Sequence, residues 1–248
     1  MEPQSMKTCV FFADRHLIHD EPAHWSWELF KEFLYDFKPD ILVDGGDHVD
    51  FPYISSFNKD KLLLLEGKRL KKDFDLLNEE LADLRQTCDR MLFLQGNHEE
   101  RLERAVQKQP LLEGMVDLEA NVDFKALDIE YYPLKQQPVK IDKLHFLHGT
   151  YTGVNHTKKQ LIKYMGSSLI YGHVHAFQAY SVGVPLRNDE WGSWSVGCLC
   201  SKTPEWMKGP AHWQNGFAVI YFDDNGNFNV YPVIMTKKRF IYGGKVYE

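Results

Sequence analysis

The chain has 248 residues, enough to bury a sizeable core, and a single domain over 1–248 is the expected organisation. A formal net charge of -6 and a sequence pI near 6.0 exclude a protein that coats nucleic acid by bulk attraction, which takes a pI above ~9. No apolar run approaches the ~20 residues of a membrane span, Met1–Ser5 has no secretion-signal character, and four cysteines are too few for a disulfide scaffold, so a cytoplasmic protein with reduced thiols and no membrane partner is expected.

Val10-Phe11-Phe12-Ala13 is a short apolar run of the kind that forms a buried strand, and it leads into Asp14 and His16. Apolar residues at helical spacing follow over Trp25–Phe37. A second run, Ile41-Leu42-Val43, leads into Gly46-Asp47 and Asp50. The charged, Leu-rich stretch from Asn58 to Arg90 is helical by pattern, with Gly67 marking a break. Met91-Leu92-Phe93-Leu94 is a third strand leading into Gly96-Asn97-His98-Glu99, with a helix beginning near His98 and a shorter helical segment around Leu111–Leu118. From Glu130 onward short strands dominate. Phe146-Leu147 leads into His148-Gly149, and Leu169-Ile170-Tyr171 into Gly172-His173-Val174-His175. Further strands are expected at Phe177–Val182, Trp194–Val196, Phe217–Phe222 and Phe228–Val233, the last two joined by the hairpin signal Asp223-Asp224-Asn225-Gly226. The first half is expected to be built of β-α-β crossovers and the second mostly of antiparallel strands. Two sheets packed face to face with helices outside satisfy both halves.

Five apolar runs thus end on residues able to hold a metal. Ligands of open α/β sheets sit beyond the carboxyl ends of the strands, so Asp14, His16, Asp47, Asn97, His148, His173 and His175 are expected to converge. Asp47 has two carboxylate oxygens and can bridge two cations ~3.5–4 Å apart. A mixed nitrogen and oxygen set without thiolate suits Mn, Fe or Zn better than Ca or Mg. Two divalent cations bring four positive charges; Asp14 and Asp47 cancel two, and a bridging hydroxide a third. The centre stays cationic and attracts phosphate, and coordination lowers the pKa of water enough to supply hydroxide near neutral pH.

This arrangement resembles the calcineurin-like metallophosphoesterase superfamily, whose motifs Asp-x-His, Gly-Asp-x-x-Asp, Gly-Asn-His-Asp/Glu, His and Gly-His-x-His occur here in order between Asp14 and His175. The resemblance implies a four-layer α/β/β/α sandwich of two mixed sheets. It implies one cation, Mn first among the candidates, on Asp14, His16, Asp47 and His175, and a second on Asp47, Asn97, His148 and His173. It also implies that His98 acts on the leaving oxygen or stabilises the transition state, and that Asp50 orients His98. Gly-Asn-His-Glu followed by Arg101 is similar to the serine/threonine protein phosphatases, but Leu17 and Phe51-Pro52 depart from their extended motifs, and their phosphate-clamping arginine is missing. The segment Trp194–Cys198 with Trp213–Phe217 looks like the metallophosphoesterases of bacteriophage and prophage genomes.

The expected function is therefore phosphate ester hydrolysis by a metal-bridging hydroxide, with a phosphodiester of nucleic acid or nucleotides as substrate. The alternatives are a phosphomonoesterase acting on small molecules or phosphoproteins, and a binding scaffold without catalysis. Arg101 and Asn97 are candidate substrate contacts. The other histidines (His19, His24, His48, His145, His156 and His212) are expected to be structural, with His19 and His48 placed to support neighbouring ligands. Cys198 and Cys200 are expected on one face of a strand as a buried thiol pair. The basic cluster Lys59, Lys61, Lys68, Arg69, Lys71 and Lys72 is expected to be a solvated helix face. Trp191, Trp194, Trp206 and Trp213 are candidates for a substrate rim or for core packing.

Overall fold

A computed structural model describes residues 6–55, 58–185, 189–203 and 212–248. The strands are β1 Lys7–Phe12, β2 Ile41–Asp44, β3 Arg90–Leu94, β4 Ile129–Tyr132, β5 Val139–Ile141, β6 Leu144–Leu147, β7 Ser168–Tyr171, β8 Gln178–Val184, β9 Asp189–Ser195, β10 Asn215–Phe222, β11 Phe228–Met235, β12 Phe240–Tyr242 and β13 Lys245–Tyr247. The α-helices are α1 Trp25–Phe37, α2 Leu62–Leu65, α3 Leu70–Arg85, α4 Glu100–Lys108, α5 Leu118–Asn121 and α6 His156–Lys163. One sheet runs β11-β10-β1-β2-β3-β4, the other β5-β6-β7-β9-β8, and β12-β13 is a separate hairpin.

Alternation along β1 shows how the layers form. Val10 and Phe12 face a core made with Trp27, Phe30 and Phe33 of α1 and Phe74, Leu77 and Leu81 of α3. Cys9, Phe11 and Ala13 face the opposite way, into a core shared with Val139, Phe146 and Ile170 of the second sheet. A third cluster, Leu147, Leu169 and Tyr171, lies on the far side of that sheet with Tyr164, next to α6. Helix, sheet, sheet, helix: the two mixed sheets form the four-layer sandwich expected.

β1 pairs in parallel with β2, β2 with β3, and β3 with β4, so their carboxyl ends lie along one edge. The second half is mostly antiparallel, as expected, in the pairs β5-β6, β8-β9, β10-β11 and β12-β13, with one parallel set inside it. β6 pairs with β7 and β7 with β9 in parallel, which aligns the ends of β6 and β7 in the same way. β10 and β11 are antiparallel, as Asp223–Gly226 signalled, but they extend the first sheet. The leucine-rich stretch divides into α2 and α3 about Gly67, whose φ of +76° stops the first helix. The helical segment expected at 111–118 is instead a single 3-10 turn, Pro110–Leu112, followed by α5.

Candidate metal centre

Three of the four parallel strands of the first sheet, β1, β2 and β3, deliver Asp14, Asp47 and Asn97 just beyond their ends, and β6 and β7 deliver His148, His173 and His175. The delivering loops are locked to one another. Asp14 N–H donates to Gly46 O at 2.9 Å, His16 N–H to Asp47 O at 3.0 Å, and Gly172 N–H to His148 O at 2.9 Å. His173 N–H donates to Asp14 Oδ2 at 2.9 Å, joining the two sheets at the site. Asp14, His16, Asp47, His173 and His175 all have φ between +48° and +69°. Non-glycine residues in that region are strained, and strain of this kind gathers where side-chain aim matters more than backbone comfort. Gly96 permits a close approach of two ligand loops: a Cβ there would lie 2.2 Å from both the backbone nitrogen and Oδ1 of Asp47.

Two donor groups result. In the first, His175 Nε2 lies 3.0 Å from Asp14 Oδ1 and 3.2 Å from His16 Nε2. In the second, His148 Nε2 lies 3.1 Å from Asn97 Oδ1, 3.2 Å from His173 Nδ1 and 3.4 Å from Asp47 Oδ2. Asp47 reaches the first group through His16 and the second directly: donor atoms of His16, Asp47 and His98, the last at the mouth, lie within 4.8 Å of one another, as do those of Asp47, His148 and His173. His148 Nδ1 lies 2.8 Å from Gly45 O and donates to it, so Nε2 is the nitrogen that faces the group and would be bare once a cation displaced its proton. Nitrogens and carboxylate oxygens crowded this closely, with few protons to separate them, suit cations, and these His/Asp groups could hold metal ions.

Electrostatics point the same way. Burial opposes charge on His148 and His175, but Asp47 and Asp14 beside them prevail and raise the two rings to about 10 and about 9. Their partners go the other way: burial and the neighbouring His148 push His173 down to about 4, and burial with His98 lowers His16. Each imidazole pair therefore carries one positive charge, shared across the place where a cation would sit. Burial also disfavours charge on Asp14 and Asp47, yet the adjacent histidines outweigh it and keep both carboxyls below the ordinary range.

His98 and Asp50 meet at the mouth. His98 Nδ1 is 2.8 Å from Asp50 Oδ1, and the same oxygen lies 3.1 Å from His16 Nδ1. Asp50 therefore holds two rings. Burial is outweighed on both sides of that contact: the carboxyl of Asp50 falls far below its usual range, and Asp47 with Asp50 raises His98. Arg101 donates to Asp50 O at 2.6 Å and lies 2.8 Å from His98 Nε2.

The residues around the donors have their own partners. Glu99, fully buried, accepts N–H from Asp47 at 3.0 Å, Val49 at 3.0 Å and Gly96 at 2.8 Å, tying two ligand loops together. His48 Nδ1 lies 2.5 Å from Asp44 Oδ2 and its Nε2 3.0 Å from Glu80 Oε2, and Glu80 also pairs with Arg15 at 3.0 Å. His19 Nδ1 is 2.7 Å from Asp73 Oδ1. Lys68 of the basic cluster pairs with Asp20 at 2.6 Å. Among the tryptophans, Trp213 meets His175 edge-on at 4.0 Å, Trp194 packs on Phe228, Trp191 is buried in β9, and Trp206 lies outside the described residues. Cys198 and Cys200 are buried, but they occupy the loop after β9 and not a strand. Only Cys200 joins the donors, its sulfur within 4.8 Å of ring nitrogens of His16 and His175.

No family model and no curated protein matches this chain. Among solved structures, the chain is similar to a single mutant of Vps29 from Entamoeba histolytica, with a TM-score of 0.44 and 12% identity over 92% of this chain and 99% of that one. Among the described residues no helix is long and apolar enough to cross a membrane.

Proposed function

We propose that this protein hydrolyses phosphate esters with two divalent cations, and that its substrates are phosphodiesters of nucleic acid or nucleotides. The reading is carried by one observation: Asp47 has carboxylate oxygen within 4.8 Å of ring nitrogens of His16 and His98, and likewise of His148 and His173. Cations bound there would supply a hydroxide nucleophile and the positive charge that a phosphoryl group needs. The remaining work falls to the chain. Asp50 holds His98 by Nδ1, which leaves Nε2, 3.8 Å from Asp47 Oδ2, to meet the departing oxygen once the ester displaces Arg101 from it. Asn97 and Arg101 then face the phosphoryl oxygens.

The diester assignment is supported by what lies beside the centre. A cleft of about 480 Å³ is lined by Asn97, Arg101, Arg104 and Lys108 of the loop and helix after β3, with Ile54 and Ser55 opposite. Arginines and a lysine along one helix face suit an anion that continues beyond the reacting phosphate. With Mn added, the protein is expected to turn over bis(p-nitrophenyl) phosphate faster than p-nitrophenyl phosphate. A clear preference for the monoester would overturn the diesterase reading, and hydrolysis of neither by fully loaded protein would favour a binding scaffold.

A further inference from the structure

The donor set inferred from sequence contains no thiolate, but the folded chain brings one to it. The sulfur of Cys200 and one ring nitrogen each of His16 and His175 lie within 4.8 Å of one another. Nitrogen and sulfur donors on one tetrahedral ion at about 2.0–2.3 Å lie about 3.3–3.8 Å apart, so a contraction of about 1 Å at most brings this triad onto one ion. The placement is built in from several sides. Leu199 N–H donates to the carbonyl of Asp14 at 3.1 Å, which joins the cysteine loop to the first ligand loop. Asn215 Nδ2 donates to Cys200 O at 2.8 Å and to Cys198 O at 3.2 Å, and Cys198 N–H donates to Gln214 O at 2.9 Å. Cys198 lies behind Cys200 and outside the triad: its sulfur is 3.6 Å from Gln214 O and 3.7 Å from Asn215 Nδ2, and its thiol is hydrogen-bonded to that of Cys200. A cavity of about 420 Å³ lined by Arg15, His16, His24 and Cys200 gives an ion a path to this side of the centre.

The geometry points to Cys200 as a thiolate ligand of the cation position formed by Asp14, His16 and His175. This inference rests on the dinuclear reading above and adds to it. On binding, the thiol releases its proton to solvent and the sulfur supplies the electron pair of the new bond. A soft anionic donor biases this position toward Zn, Fe or Co over Mn, while the position at Asn97, His148 and His173 keeps only nitrogen and oxygen. The two positions are therefore expected to prefer different metals.

Cobalt tests the assignment without reference to turnover. Protein loaded with Co(II) should show a sulfur-to-cobalt charge-transfer band in the near ultraviolet. Cys200→Ser should lose the band while retaining cobalt, and Cys198→Ser should keep it. In the same Cys200→Ser protein, zinc affinity should fall about tenfold or more and manganese affinity by less than about twofold. Cobalt bound without the band, or a band that vanishes with Cys198→Ser and survives Cys200→Ser, would overturn the thiolate and leave the dinuclear reading intact. Failure to bind cobalt at all would overturn both. Should Cys200→Ser not fold, X-ray absorption of the wild-type zinc protein decides the matter: a sulfur scatterer at about 2.3 Å is expected, and a shell of nitrogen and oxygen alone excludes Cys200.

Discussion

At the scale of single residues, His98 and Asp47 have separable duties although they lie 3.8 Å apart. His98 stands at the mouth, held by Asp50, and neither imidazole pair includes it. His98→Ala is therefore expected to retain both cations and to lose most turnover, on the order of 10²–10⁴-fold for a lost proton-transfer group. Asp47→Ala should lose metal as well, since the carboxylate shared by the two sides disappears. Metal content measured beside turnover distinguishes the two variants, and His98→Ala turning over normally would remove its assigned role. The seven ligand candidates were legible because each ends an apolar run, a pattern set by strand burial. Cys200 was not, because two cysteines in alternation carry no sign of the loop that turns one toward His16 and the other toward Gln214. Glu99 was visible in its motif without a function; that it accepts three backbone N–H groups is a property of two loops meeting, which spacing along one of them does not encode.

At the scale of elements, α3 is tied to the site by a buried chain of charges. Glu80 of α3 reaches His48, and His48 reaches Asp44 at the end of β2, three residues before Asp47. Burial works against a charged His48, but Asp44 and Glu80 outweigh it and raise the ring to about 9. A folded-state pKa above the unfolded one contributes stability that is fully present below the ordinary histidine range near 6.5 and is lost as pH rises through about 9. Between pH 7 and 10 the folded protein should lose roughly 2–3 kcal/mol through this ring. His148, His175 and many other groups also titrate, so the measurement is a comparison: urea unfolding of wild type and His48→Gln, both in chelator, at the two pH values. The wild type should lose more stability than the variant across that interval, and equal losses would show that His48 carries no buried charge. The helix itself was readable from the leucine spacing, as was its start after Gly67. Its electrostatic link to the metal loop was not, because His48, one residue past Asp47, gives no hint that a helix far downstream closes over it.

At the scale of the whole molecule, the centre lies on a seam. Asp14, Asp47 and Asn97 follow strands of one sheet, whereas His148, His173 and His175 follow strands of the other. The order of strands explains why only part of this was legible. Apolar runs announce strands and their ends, but the parallel β6-β7-β9 set and the return of β10-β11 to the first sheet depend on pairings far apart in sequence. Cations at the seam would crosslink the sheets and bind the folded chain far better than the unfolded one. Metal at about 100 times its Kd then adds about 2.7 kcal/mol per site by mass action. For a chain of this size each kcal/mol raises Tm by roughly 2–4 °C, so Mn should raise Tm by about 5–10 °C over protein in chelator, and more if both sites fill independently. The gain should shrink as pH falls, because cations must displace protons from the same imidazoles, and it should be absent in Asp47→Ala. Calorimetric scans with and without metal check this directly. A Tm indifferent to Mn, Zn and chelator alike would mean that the seven side chains gather for packing alone.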